Sequence, residues 1–277
     1  MPAANARAMQ KARTLNCDAI IFDLEDAVAV NSKTSAREQL IEELHTGGYG
    51  YRERIVRVNG LSTPWCEPDV SAVAGLDIHG ILFPKVNSAT ELLDALVLMD
   101  SCGGQSLPIW AMLETPRAVL DADAIVSASS RLTTLVMGTS DLVTELRATH
   151  TPDRNGLQAA LQHCVLVARA HGRDILDGVH LDFRNQDSFK QTCEQGRQMG
   201  FDGRTLIHPT QIDVANEIFG FSGTAVEEAR EIIQAWQHAQ EAGKGVVEVG
   251  GRLIENLHVA EAQRVIEFAE QLSGRDE

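Results

Sequence analysis

The chain is poor in cationic residues, has no paired cysteines and has no long apolar run, and each shortage removes a class of function. Against 39 Asp and Glu stand only 24 Lys and Arg, a formal charge of −15 over 277 residues. A field of that sign repels nucleic acid and anionic membrane surfaces, and no basic stripe counters it. An anionic substrate must therefore meet a local cation or a metal. The five cysteines, Cys17, Cys66, Cys102, Cys164 and Cys193, are odd in number and include no Cys-x-x-Cys pair. Scattered thiols of that kind argue against a structural zinc and for a reducing compartment. Nothing approaches the roughly 18 consecutive apolar residues of a membrane span, and the N-terminus has no signal-like apolar region. A soluble cytoplasmic protein is expected. Dinucleotide, phosphate-loop, nucleophile-elbow and His-Glu-x-x-His motifs are all missing, so the chemistries tied to them lack support.

What is present is a regular alternation. Short apolar runs occur at Ala19–Leu24, Arg54–Val58, Gly80–Phe83, Ile109–Leu113, Thr134–Met137, Ile175–Val179 and Arg204–Ile207. Between them lie stretches of helical period such as Glu91–Met99 and Leu157–Ala170. That order predicts an α/β protein with a parallel sheet and helical crossovers. Polar residues crowd directly after the runs: Asp23, Glu25 and Asp26; Arg57 and Asn59; Lys85; Glu114; Asp141; His180 and Asp182; His208. In a parallel barrel these positions converge on one face, whereas an open doubly wound sheet brings only a few together. A TIM-type (β/α)8 barrel over residues 1–221 is therefore expected. Its first strand falls before Met1-Pro2-Ala3, which reads as the loop leading to a helix over Ala6–Leu15. Residues 222–277 form a C-terminal helical extension, with helices over Ala225–Ala242 and Leu257–Leu272, a short strand at Val246–Val249 and a Gly250-Gly251 turn. This extension is expected to pack on the barrel or reach a neighbouring subunit.

Glu114 ends an apolar run, and Thr115-Pro116 after it is a good helix start. Asp141 repeats the arrangement in Gly138-Thr139-Ser140-Asp141-Leu142, where the glycine lets backbone approach a ligand closely. Two carboxylates from adjacent strands, with no His or Cys beside them, suit Mg²⁺, which takes one or two protein carboxylates and fills its octahedron with water and substrate oxygens. Such acids equally cap helices or pair with arginine. Asp23 and Glu25 share a strand face and are placed to ligate metal through water or to orient Lys33 and Arg37. Arg57 is a candidate carboxylate clamp, because a guanidinium binds carboxylate bidentately.

Taken in order, Asn5 to Lys11, Asp23-Leu24-Glu25-Asp26-Ala27-Val28 with Lys33 and Arg37, Arg57-Val58-Asn59-Gly60 and Pro84-Lys85-Val86 form the first half of a pattern. Glu114-Thr115, Gly138 to Leu142, Gly200-Phe201-Asp202-Gly203 and Ile207-His208-Pro209 complete it. The whole resembles the HpcH/HpaI aldolase–citrate lyase β-subunit family of CoA-ester lyases. The resemblance implies a trimeric or hexameric barrel enzyme. Its reaction makes or breaks a carbon–carbon bond in a 3-hydroxyacyl-CoA such as malyl-, citramalyl- or citryl-CoA. The products are acetyl-CoA or propionyl-CoA and a 2-oxo acid. It implies Mg²⁺ on Glu114 and Asp141, substrate contact by Arg57 and Ser140, and a CoA or substrate path along Asn5, Lys11, Ile207 and His208. Glu25 and Asp26 belong to the catalytic block. Glu255, where the family often carries Asp, is the implied proton carrier, contributed to a neighbouring subunit. A malyl-CoA thioesterase on the same site, and a non-catalytic CoA-binding subunit of a lyase complex, remain as alternatives.

Overall fold

The computed structural model describes residues 1–275. They form two compact units, Met1–Asn216 and 217–275. In the first, seven parallel strands lie in chain order: β1 (Ala19–Asp23), β2 (Glu53–Arg57), β3 (Gly80–Phe83), β4 (Ile109–Leu113), β5 (Leu132–Met137), β6 (Asp174–Asp177) and β7 (Gly203–Arg204). The helices along the chain are α1 (Ala6–Ala12), α2 (Lys33–Thr46), α3 (Cys66–Val73), α4 (Ala89–Ser101), α5 (Pro116–Leu120), α6 (Ala122–Ser127), α7 (Thr139–Glu145), α8 (Gln158–Ala170), α9 (Gln186–Met199) and α10 (Ile212–Phe219). Each strand pairs with the next, which is the winding of a TIM-type barrel. The division between the units falls within α10, earlier than the Phe221–Ser222 junction expected from sequence.

The position before β1 is held by residues 1–3. Pro2 forms a single parallel bridge with Asp23, the Ala3 amide donates to the Asp23 carbonyl and the Asp23 amide donates to the Met1 carbonyl. Residues 1–3, which the sequence suggests are loop, thus pair with the edge of β1. Among the described residues the ladder runs from β1 to β7 without closing on it.

The strands read as nearly unbroken apolar runs because both faces of the sheet are covered. Every residue of β3 and β4 is buried. Alternate side chains Ile55, Leu82, Trp110, Met112 and Val136 make one cluster, the period-2 signature of a shared sheet face. Local chemistry sets the helix starts. The Ser88 hydroxyl caps α4 by accepting from the Glu91 amide, and Thr115 does the same for Ala118, with Pro116 opening α5. Gly200 ends α9 in the left-handed region, at φ 98°.

The second unit is a helix pair, α11 (Gly223–Glu241) and α12 (Asn256–Ser273), joined by a hairpin of β8 (Val247–Val249) and β9 (Arg252–Ile254). Only the first of these strands is expected from the sequence pattern. Gly250 and Gly251 both take positive φ, the requirement of a two-residue hairpin turn. Ala229, Ala262 and Val265 form one core cluster there, and Trp236, Ile254 and Val259 another. Among the described residues no helix is long and apolar enough to cross a membrane.

Candidate active site

Parallel pairing places Asp23 of β1 directly across from Arg57 of β2. The two side chains meet in a bidentate ion pair: Arg57 Nε donates to Asp23 Oδ1 at 2.7 Å and Nη2 to Oδ2 at 2.6 Å. The remaining arm, Nη1, lies 3.0 Å from Glu25 Oε2. Arg57 is therefore committed to the chain's own carboxylates. The guanidinium expected to clamp a substrate carboxylate is thus engaged by Asp23 and Glu25. Burial works against ionising Asp23, but the hydrogen bonds and charge of Arg57 outweigh it and hold that carboxyl below the usual range. Glu25 goes the other way. Burial pushes its carboxyl above the ordinary value, against the pull of Arg57.

Glu114 leaves the end of β4 and is 1% exposed. Burial, then the charges of Asp141 and Glu25, push its carboxyl up to about 8. Asp141 stands half-buried in the first turn of α7. A buried carboxylate crowded by two others calls for a cation. The ammonium of Lys85, 3.5 Å from Glu25 Oε1, is nearly half exposed and supplies only part of it. Oxygen donors alone, without nitrogen or sulfur, match a hard divalent cation. Among the described residues no group of three or more His, Cys, Asp and Glu forms a ready-made cage. The fit to Mg²⁺ rests on the two carboxylates of Glu114 and Asp141 alone, since that ion takes one or two protein carboxylates and fills its other positions with water and substrate oxygens.

Gly138, expected to let backbone approach a ligand, is pressed against Glu114 instead. A Cβ there would lie 2.3 Å from Glu114 Cβ and 2.5 Å from its Oε2.

Lys33 and Arg37 are not oriented by Asp23 or the Glu25 carboxylate. The buried Lys33 ammonium donates to the carbonyls of Leu24 and Glu25 at 2.8 Å each and to Asn59 Oδ1 at 2.7 Å. Asn59 donates from its backbone and side chain to Asp69, which also holds Arg37 at 2.8 Å. This network pins the loop that carries Glu25. Asp69 is fully buried on α3, away from any strand end, so the sequence reading missed it. A cleft of about 900 Å³ opens beside it, lined by Glu25, Asp26, Lys33, Asn59, Trp65 and Lys85 among others.

Other expected site residues stand apart. Asn5 caps α1 by accepting from the Ala8 amide, and Lys11 lies exposed in the last turn of that helix. Ile207 is 49% exposed. His208 stacks on Phe183 with ring centres 4.6 Å apart and meets Thr210 through Nδ1. Ser140 is half-buried beside Asp141. Among the described residues no hydrogen bond or ion pair joins these side chains to the Arg57, Glu25, Lys85 and Glu114 group. Glu255 is exposed in the second unit, its amide accepted by His258 Nδ1 at the start of α12.

The sequence model of the HpcH/HpaI aldolase/citrate lyase family matches residues 1–209. A (3S)-malyl-CoA thioesterase of Cereibacter sphaeroides is 46% identical over 273 residues, covering 99% of this chain and 94% of that protein. Citrate lyase subunit beta of Escherichia coli is 33% identical over 283 residues, covering 100% of this chain and 94% of that one. Protein CitE of Mycobacterium tuberculosis, solved in complex with magnesium, acetoacetate and coenzyme A, superposes with a TM-score of 0.77 at 25% identity. That match covers 98% of this chain and 96% of the CitE chain.

Proposed function

The chain belongs to the HpcH/HpaI aldolase/citrate lyase family, and on that premise we propose that it hydrolyses the thioester of a malyl-CoA-type 3-hydroxyacyl-CoA with Mg²⁺ held by Glu114 and Asp141. The observation that carries the substrate class is the 46% identity, over almost the whole chain, to a malyl-CoA thioesterase. The crowded carboxylates around the buried Glu114 support the metal.

When bound, Mg²⁺ supplies Lewis-acid polarisation of a substrate carbonyl oxygen and neutralises charge on the acid end of the acyl chain. The chain's own residues do the rest. Arg57, held by Asp23, contributes fixed positive charge beside the cleft, and its Glu25-facing arm is the one able to turn to a substrate anion. Glu25, whose carboxyl burial holds above the ordinary range, accepts the proton of an attacking water. Water adds to the thioester carbonyl, the C–S bond breaks, Glu25 returns the proton to the departing sulfur, and CoA leaves as the thiol with a free hydroxy acid. Asp26, in the same cleft, favours a proton path to solvent.

A second reading is carbon–carbon cleavage, to acetyl-CoA or propionyl-CoA and a 2-oxo acid. It is supported by the likeness to citrate lyase subunit beta and by the CitE complex with acetoacetate and coenzyme A. There Glu255, offered by a neighbouring subunit of a trimer or hexamer, moves the proton at the acyl α-carbon. Asn5, Lys11, Ser140, Ile207 and His208 are proposed to lie along the CoA and substrate path. A cytoplasmic location is supported by five cysteines that are all free.

Product analysis separates the readings. Malyl-, methylmalyl-, citramalyl- and citryl-CoA are each incubated with the purified chain, with and without EDTA. Free CoA plus intact hydroxy acid is the expected outcome; acetyl-CoA plus a 2-oxo acid selects cleavage. No turnover of any ester by the isolated chain favours a non-catalytic subunit, and turnover undiminished by EDTA overturns the metal. With any ester that does yield acetyl-CoA, Glu255→Gln is expected to suppress that product by about 100-fold, as for loss of a general acid–base group, while leaving hydrolysis near wild type. Equal loss of both products refutes that division of labour.

A further inference from the structure

Glu114 is held from both sides, by a backbone amide and by a glycine. On the β3 side, the Lys85 backbone amide donates to Glu114 Oε1 at 2.8 Å. Lys85 sits at φ 52°, in the left-handed region that residues with a Cβ rarely enter. Side chains from the same loop and from the start of α4 latch this turn. Asn87 donates through Nδ2 to the Lys85 carbonyl at 2.7 Å, and its amide is fixed by Glu91 at 2.7 Å. Asn87 Oδ1 in turn accepts from the hydroxyl of Thr115, the residue next to Glu114. The loops after β3 and β4 are thus tied twice, once through Glu114 and once through Thr115. On the β5 side, Gly138 leaves no room for a Cβ, which would fall 2.3 Å from Glu114 Cβ and 2.5 Å from Oε2.

We propose that Lys85, through its backbone and not its ammonium, and Gly138 are positioning residues that orient the Glu114 carboxylate toward a divalent cation with Oε1 engaged and Oε2 free. Among the described residues Oε2 accepts no hydrogen bond, while Oε1 has the amide. The positive φ at Lys85 and the hydrogen bond from its amide to Glu114 occur in the same tight turn after β3, which the Asn87 side chain latches. The inference rests on the reading of Glu114 as a metal ligand, and it adds which oxygen is offered and what holds it. A carboxylate so held presents one oxygen at fixed orientation, which suits a small ion that demands near-ideal octahedral geometry.

The test is Mn²⁺ uptake by the full chain, followed by electron paramagnetic resonance of free Mn²⁺, with no turnover required. Gly138→Ala and Lys85→Pro, the latter lacking the N–H and barred from positive φ, are expected to weaken binding by about 10- to 100-fold, the usual cost of losing an outer-shell partner. Asn87→Ala, which keeps the amide but removes its latch, should lie toward the low end of that range. Should the two backbone variants fail to fold, it decides the matter. Lys85→Ala keeps the amide and should bind Mn²⁺ at least as tightly as wild type. Loss in Lys85→Ala equal to that in Lys85→Pro overturns the proposal in favour of the ammonium. Wild-type affinity in Gly138→Ala, Lys85→Pro and Asn87→Ala, with binding lost in Glu114→Gln, overturns this inference alone. A wild-type chain that takes up no Mn²⁺ overturns the metal reading and this inference with it.

Discussion

Glu114→Gln is expected to lower turnover by about three orders of magnitude, the rate equivalent of the several kcal/mol that a Lewis-acid metal contributes at a developing charge. The glutamine amide oxygen still accepts from the Lys85 amide, so the change removes charge and leaves the shape. Two readouts separate a lost metal from a damaged fold. The first is proton release. With its carboxyl pushed up to about 8 by burial and by Asp141 and Glu25, Glu114 in the metal-free chain carries its proton at pH 7. Mg²⁺ requires the ionised form, so binding should expel about one proton at pH 7 and almost none at pH 9. Calorimetry in buffers of different ionisation enthalpy measures this, and zero release at pH 7 refutes the assignment. The second is the pH dependence of stability. Between the ordinary value of 4.5 and about 8 the folded chain holds a proton that the unfolded chain has lost. Metal-free stability therefore falls as pH rises through that window. Glu114→Gln should remove Glu114's share of this slope and leave the protein at least as stable at pH 8.

Asp177→Ala should be the most damaging single change to stability in the barrel unit, by about 3–5 kcal/mol, because it leaves buried charge without a partner. Asp177 is fully buried at the end of β6 and serves two guanidiniums. Arg154 Nη1 lies 2.7 Å from each of its oxygens, and Arg204 Nη1 is 3.5 Å from Oδ2. Arg154 reaches it from the loop after α7, and its Nε is held by Gln195 of α9 at 2.6 Å. Removing one acid therefore strands two cations and loosens a loop. Urea unfolding should show the drop as a lower midpoint at similar slope. If Arg154→Met added to Asp177→Ala fails to recover any stability, unpaired charge is not the cause. The change should also reach the site. Gly178, next to Asp177, has no room for a Cβ because Thr139 Oγ1 occupies a point 2.3 Å away, and Thr139 opens the helix that carries Asp141.

Much of this architecture was legible in the chain itself. The seven apolar runs match β1 to β7 to within a residue or two at most ends, because a strand covered on both faces must be apolar at nearly every position. Thr115-Pro116 marked a helix start, and the hydroxyl and ring that did so act only on their immediate neighbours. The sequence also placed Glu25 and Glu114 just after strands, and the structure puts them close enough, with Asp141 in the first turn of α7, for their charges to act on one another. The β9 strand of the hairpin was not found, since Arg252-Leu253-Ile254 is too short to show alternation against the flanking helix pattern.

The sequence by itself determined the winding of the strands and the clustering of acidic residues after them. Both follow from residue type and from spacing along one strand or helix. Only the tertiary structure decided what each charged group faces. Arg57 turned out to be closed on Asp23 and Glu25, Lys33 and Arg37 belong to a network run through Asn59 and Asp69, and Gly138 makes room for Glu114 and not for a ligand. Such partners are separated by tens of residues, and an ion pair or a steric contact depends on angstrom-scale register between strands. That register emerges when all the ladders and helices pack together, and no local run of residues carries it.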